Sequence, residues 1–194
     1  MAPTGPITAL RYGNIAIVNQ NICGIGGGKH NCYKLDVIAN ILRKKGIDIY
    51  TFQELKAGGV EKEVEIGEYL FFLNADKTDK RRSGVGIMLS PNARKAWEQA
   101  GSPEPIRKFC AKGSRIIAVN LCYKDARNNK VKLCVMSVHM PHNGKAPKKN
   151  TTEYSDDDYL QCLQCIDVIV KTLDKNTVPL IFGDFNARIG KREA

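Results

Sequence analysis

The sequence predicts an α/β domain, opened by a β-α-β unit and closed by a helix that feeds a last strand. Three observations carry this prediction. Ile15-Ala16-Ile17-Val18 and Ile47-Asp48-Ile49-Tyr50-Thr51-Phe52 are short runs of β-type residues. Between them Leu35, Ile38, Ala39, Ile41 and Leu42 recur at helical spacing, and Gly46 supplies a stop after Arg43-Lys44-Lys45. Farther on, Tyr159, Leu163, Ile166, Val170 and Leu173 mark the buried face of a long helix that leads into Val178-Pro179-Leu180-Ile181-Phe182. At 194 residues and 43% hydrophobic, the chain has the size and apolar content of one domain with a substantial core. Residues 1–13 read as an N-terminal tail and 14–194 as the domain.

The middle of the chain reads as strand pairs. Tyr69 to Leu73 and Gly84 to Leu89 are two strand candidates joined by the charged stretch Lys77 to Arg82, an antiparallel arrangement. Asn92 to Ala100 reads as a short helix with Trp97 as a core anchor. Arg115 to Tyr123 and Val131 to Val138 form a second pair around the polar turn at residues 125–129. The last long helix begins at Ser155, a plausible cap, with Asp156-Asp157-Asp158 favouring its N-terminal dipole.

Candidate chemistry collects where these strands end. The final apolar run stops at Gly183, so Asp184 and Asn186 are expected on the loop past the strand, where α/β sheets keep their sites. A carboxylate two residues before a carboxamide can hold a water against a phosphodiester; Gly-Asp and Asn-Ala also begin ordinary turns. Asn21 stands at the exit of the first strand. Glu54 follows the second strand and could be a hard-cation ligand, or simply a surface glutamate before Lys56. His139 ends another strand just before Met140-Pro141, which turns it toward a loop where it could donate to a phosphate oxygen or serve a structural role.

Two competing motifs fall away. Gly26-Gly27-Gly28-Lys29 is one residue too close to Gly24 for a phosphate loop, and His30 stands where that loop needs Ser or Thr. Cys162-x-x-Cys165 with His139-x-x-His142 holds the residue types of a zinc site, but helical packing accounts for the cysteines and the order is reversed from a finger.

Thirty Lys and Arg against 20 Asp and Glu give a formal charge of +10, which favours an anionic partner such as nucleic acid. Much of that charge falls in expected loops (Lys77, Lys80, Arg81, Arg82; Lys145, Lys148, Lys149), where it would grip a phosphate backbone or simply be solvated. Residues 1–18 lack a signal-peptide core, and no apolar run reaches a membrane span. The expectation is an intracellular protein, nuclear or cytoplasmic, with no membrane partner. Seven cysteines, spread over strands, helices and loops, are expected as reduced thiols rather than a disulfide framework.

Five spaced motifs, Asn21-Ile22-Cys23-Gly24, Gln53-Glu54-Leu55-Lys56, Ser83-Gly84-Val85-Gly86, His139-Met140-Pro141 and Gly183-Asp184-Phe185-Asn186-Ala187-Arg188-Ile189-Gly190, resemble the endonuclease/exonuclease/phosphatase superfamily. The last looks most like the apurinic/apyrimidinic-type endonuclease domain of non-LTR retrotransposons. The resemblance covers the chain from about Asn14 to Gly190. It implies a four-layered α/β sandwich, two mixed sheets flanked by helices, and Mg²⁺- or Mn²⁺-dependent cleavage of phosphate esters. Glu54 matches the metal-binding glutamate and Asn21 the asparagine beside the metal; Asp184 and Asn186 match the pair that orients and activates water. His139 occupies a place where relatives carry histidine or tyrosine near the phosphate. DNA is the implied partner, with a reverse transcriptase domain in an intact parent element.

The chain departs from that pattern at Cys23 and Gln20, where many relatives carry a polar or acidic residue and tryptophan respectively. It also lacks the family's final strands and Ser-Asp-His motif. The expectation is a C-terminally truncated member, weak or inactive in this form; the alternative is a non-catalytic nucleic-acid-binding remnant.

Overall fold

The structure, a computed structural model, describes residues 7–12, 14–24, 31–55, 63–75, 84–110, 115–125, 127–141 and 156–186. Ten strands form two sheets. The first contains β1 (Ile7–Tyr12), β2 (Ile15–Asn21), β3 (Ile49–Gln53), β4 (Glu63–Ile66), β5 (Tyr69–Asn74) and β6 (Val85–Leu89), in the spatial order β1-β2-β3-β6-β5-β4. The second contains β7 (Ile106–Phe109), β8 (Arg115–Lys124), β9 (Lys130–His139) and β10 (Thr177–Asp184), in the order β10-β9-β8-β7. Both are mixed: β2 runs parallel to β3 and β10 parallel to β9, and the other pairs are antiparallel.

Alternation along the strands sorts side chains into three apolar layers. Ile17, Ile49, Phe72 and Ile87 of the first sheet meet Ile117, Val119, Val135 and Phe182 of the second. The outward residues Val18, Tyr50, Phe52 and Phe71 pack under α1 (Asn31–Lys45) through Leu35, Ile38, Ala39 and Leu42. On the other side, Ile116, Ala118, Met136 and Val138 pack under α3 (Asp156–Thr172) through Cys162, Ile166 and Ile169. Helix, sheet, sheet and helix make the expected four-layered α/β sandwich. A third helix, α2 (Pro91–Gln99), starts at an N-cap in which Ser90 accepts from the Ala93 N–H at 3.3 Å, and Trp97 stacks edge-on to Phe72 at 5.3 Å.

Four details differ from the sequence reading. Ile7–Tyr12, read as tail, is a strand; Tyr12 lies opposite Ile15, so only Gly13-Asn14 separate the two arms of a tight hairpin. The edge strands β4 and β7, which the sequence reading did not anticipate, are four residues each and half exposed, which leaves little apolar signal. The buried stripe of α3 runs through Cys162 rather than Leu163, which is 41% exposed: positions 162, 166, 169 and 173 share one face, and 163 lies about 100° around the helix from 162. On α1, Ile41 likewise turns outward, 46% exposed. Ser155, the expected cap, and the basic stretches at 77–82 and 145–149 lie outside the described residues. No helix among the described residues is long and apolar enough to cross a membrane.

Candidate metal and catalytic centre

At one end of the sandwich the inward-facing positions stop being apolar. Going toward that end, β2 presents Ile17, Asn19 and Asn21; β3 presents Ile49, Thr51 and Gln53; β9 presents Val135, Ser137 and His139; β10 presents Leu180, Phe182 and Asp184. Period-2 alternation therefore brings these polar groups onto two facing inner surfaces. Asp184 is the last residue of β10, paired with His139, rather than a loop residue past the strand; the ladder continues one step as Met140 N–H donates to Asp184 O at 2.9 Å.

One carboxamide organises the centre. Asn21 Nδ2 donates to Glu54 Oε1 at 3.0 Å and to Asp184 Oδ2 at 2.9 Å, spending both of its protons on two carboxylates. Its Oδ1 accepts from the Cys23 backbone N–H at 3.0 Å, which fixes the amide's orientation. Asp184 Oδ1 accepts from the Asn186 N–H at 3.0 Å, and Asn186 Nδ2 donates to Met140 O at 2.8 Å. All five sequence-identified residues thus converge. Ligand atoms of Glu54, His139 and Asp184 lie within 4.8 Å of one another, a spacing that could hold a metal ion.

The backbone at this end is strained. Cys23, Glu54 and Asn186 have φ of +49°, +56° and +47°, in the left-handed region that branched side chains avoid. These are three of the five such non-glycine residues among those described, and each lies just past the end of a strand bearing a site residue. Such geometry costs on the order of 1 kcal/mol or more per residue and persists where surrounding contacts over-determine it.

Sequence reasoning passed over the supports. Gln53, fully buried, donates through Nε2 to Asn19 Oδ1 at 2.8 Å and to Ser137 Oγ at 3.0 Å, and Ser137 donates to Phe52 O at 3.1 Å. Thr51 Oγ1 adds a bond to Asn19 Oδ1 at 2.9 Å. This network crosses from one sheet to the other, one residue before Glu54 and two before His139. Gln53→Leu would leave Asn19 and Ser137 short of a donor in a dry interior, at a cost on the order of 2 kcal/mol. The expected reading is a lower denaturant midpoint at unchanged slope. Arg115 was also passed over. It sits opposite His139 on β8, 3% exposed, its guanidinium 4.7 Å over the Phe109 ring, so that Arg115, His139 and Asp184 form one row across three strands. The available signal was an arginine opening an otherwise apolar strand.

A cleft of about 570 Å³ lies at the other end of the sandwich, against Ile15, Asp48, Lys95 and Tyr123, and shares no residue with this centre. The sequence-identified residues gather in the polar convergence and not in this cleft.

In fold the chain is similar to an endonuclease/exonuclease/phosphatase family protein from Leptotrichia buccalis, with a TM-score of 0.52 at 15% identity over 89% of this chain and 68% of that one. It is also similar to TDP2 from Caenorhabditis elegans (TM-score 0.48, 13% identity, 90% of this chain and 48% of that one). A mannosyl-6-phosphatase from Bacteroides thetaiotaomicron gives a TM-score of 0.48 at 14% identity, over 89% of this chain and 66% of that one. The chain therefore spans about half the length of the TDP2 structure. No curated protein matches it in sequence. Residues 19–193, nearly the whole sandwich and every residue of the polar centre, match the model of the Endonuclease/Exonuclease/phosphatase family, and the chain belongs to that family.

Proposed function

We propose that this domain is a divalent-metal-dependent phosphodiester hydrolase acting on DNA, of the apurinic/apyrimidinic endonuclease type that non-LTR retrotransposons carry. The observation that carries the reading is the convergence of Glu54, His139 and Asp184 around the Asn21 amide. Two carboxylates and an imidazole this close suit a hard cation: the carboxylate oxygens are the donors that Mg²⁺ or Mn²⁺ prefers, and the like charges of Glu54 and Asp184 favour a positive centre beside them. Glu54 would hold the ion, and Asn21, whose amide nitrogen faces both carboxylates, would lie beside it and position them. When bound, it would neutralise charge developing on a phosphate oxygen.

The remaining work falls to the chain's own groups. Asp184, held at both oxygens by Asn21 and the Asn186 N–H, is placed to take a proton from the attacking water. Asn186, tied to Met140 O, orients that water. His139 donates to a phosphate oxygen, and the +10 charge of the chain favours a polyanionic substrate over a small phosphorylated one. An intracellular setting and a reverse transcriptase domain in the parent element go with this reading.

The 194 residues contain no Ser-Asp-His sequence, and turnover by this chain alone is accordingly proposed to be slow. The test is nicking of supercoiled plasmid with Mg²⁺ and with EDTA. The expected result is weak nicking that chelation abolishes; nicking indifferent to EDTA would overturn the metal-dependent reading. A folded chain that binds DNA in a salt-sensitive, chelation-insensitive way without nicking would favour the binding-remnant reading, which the net charge supports.

Asn21→Ala removes the amide that spans the carboxylates without touching either. Nicking is expected to fall by about 10–100-fold, in proportion to what supporting hydrogen bonds contribute at metal centres. Partial recovery at raised Mg²⁺ would identify the loss as one of metal affinity, and titration of rate against Mg²⁺ would measure it.

A further inference from the structure

Three thiols meet away from the polar centre. Cys162 and Cys165 lie three residues apart on α3, on the side turned to the second sheet, and Cys110 directly follows β7. Cys110 and Cys165 pack against the apolar cluster that holds Cys162, and side-chain hydrogen bonding with Cys162 and Cys165 pushes the Cys110 thiol up. Cys162 is fully buried, whereas Cys110 and Cys165 are partly exposed, so the cluster has a dry end and an accessible end. All six described cysteines are free thiols in this structure.

We propose that this cluster is a redox modification site, at which Cys110 forms a reversible disulfide with Cys162, entered through the accessible thiols. A shared soft metal is the less suitable occupant: among the described residues, Glu54, His139 and Asp184 are the group whose ligand atoms all lie within 4.8 Å, and the three sulfurs are not so gathered. A disulfide, by contrast, needs only two of the three thiols to meet, at an S–S length of about 2.05 Å. Ile106, Ile166, Ile169 and Phe185 belong to the same apolar cluster.

The chemistry balances with a small disulfide such as oxidised glutathione as the oxidant. A thiolate of Cys110 or Cys165 attacks one of its sulfurs, forming a mixed disulfide and releasing one glutathione thiolate. A neighbouring thiolate of the cluster then attacks the protein sulfur of that mixed disulfide, releasing the second glutathione. Exchange within the cluster settles the bond between Cys110 and Cys162. Overall, two protein thiols are oxidised by two electrons, one glutathione disulfide is reduced to two thiols, and the two thiol protons pass to these. Hydrogen bonding with Cys162 and burial hold the Cys110 thiol well above the usual range, so oxidation is expected over minutes to hours rather than seconds.

The bond would tie the end of β7 to α3 across 52 positions of sequence, a loop long enough for a sizeable effect on the unfolded chain. The experiment equilibrates the folded chain with reduced and oxidised glutathione over a range of ratios, followed by acid quenching, alkylation and peptide mass mapping. The expected product is lighter by two hydrogens, carries no glutathione, and yields a peptide pair joining Cys110 to Cys162. Its Tm rises by roughly 5–15 °C. Cys110→Ser, a partly exposed position that spares the buried Cys162, should abolish both the linked peptide and the Tm rise while keeping the reduced Tm within a few degrees. Buried Cys134, whose thiol is pushed up to about 12 by burial, should stay reduced throughout and marks folded protein. Links only through Cys23 or Cys32, or glutathione adducts at Cys110 that never resolve, would overturn the proposal; so would a folded chain whose cluster stays reduced at every ratio.

Discussion

Asp184→Asn is expected to lower Mg²⁺-dependent nicking by about 10²–10⁴-fold while leaving the stability of the fold nearly unchanged. The two halves of this result have separate causes. Asparagine keeps the shape of aspartate and can still accept from the Asn186 N–H, but its amide nitrogen then faces the Asn21 Nδ2 donor, so one hydrogen bond of about 1 kcal/mol is lost at the strand end. It cannot take a proton from water, which is the step assigned to Asp184 and is worth that range in general base catalysis. Without a metal, Glu54 and Asp184 are like charges within 4.8 Å, and removing one relieves repulsion on the order of 1 kcal/mol in this partly exposed setting. The relieved repulsion offsets the lost bond to Asn21, so melting in EDTA should show a nearly unchanged Tm for the variant. A lower Tm together with lost activity would mean that Asp184 holds the structure rather than runs the reaction.

Gly183→Ala is expected to be as damaging, by a different route. Gly183 faces Val138 in the parallel ladder, and an added Cβ would lie 2.2 Å from Val138 O, 2.9 Å from its carbonyl carbon and 3.0 Å from its Cβ. Two of those atoms are backbone, so no side-chain rotation relieves the overlap; β10 must move away from β9 at the residue next to Asp184. Overpacking of this kind costs about 1–3 kcal/mol or more. A displacement on the order of 1 Å at a reacting group costs about 10²-fold in rate. Urea unfolding and nicking measured on the same preparation would show both losses; a variant with wild-type stability and rate would mean that β10 has slack there. Gly86 faces a softer obstacle, since its added Cβ would meet the Phe52 ring at 2.2 Å, a side chain able to shift at some cost to the core.

The helices, the central strands and the five candidate site residues could be picked out because each strand ends in a change of character that needs no tertiary information. Asn21, Glu54, His139 and Asp184 stand where an apolar run gives out. What stayed hidden depends on pairing across long stretches of chain. Gln53 looked like a mere neighbour of Glu54, because its partners Asn19 and Ser137 are 34 and 84 residues away. Arg115 looked like an ordinary strand-opening cation until the β8–β9 register set it beside His139. The misplaced face of α3 arose from ranking leucine above cysteine as a core residue, although a small thiol fits well against Ala118 and Met136. β1 was lost because six residues of mixed character gain their meaning only from the partner they pair with.

The bond between Asn21 and Asp184 joins positions 163 residues apart. A ribosome adding about 5–20 residues per second needs roughly 10–30 s to pass from the first of these to the second. For most of that interval the nascent polypeptide carries Asn21 and Glu54 but not the aspartate that accepts the second of Asn21's two bonds. The polar centre is therefore assembled late in synthesis, after most of both sheets has been made, and any fragment released earlier is born with it incomplete.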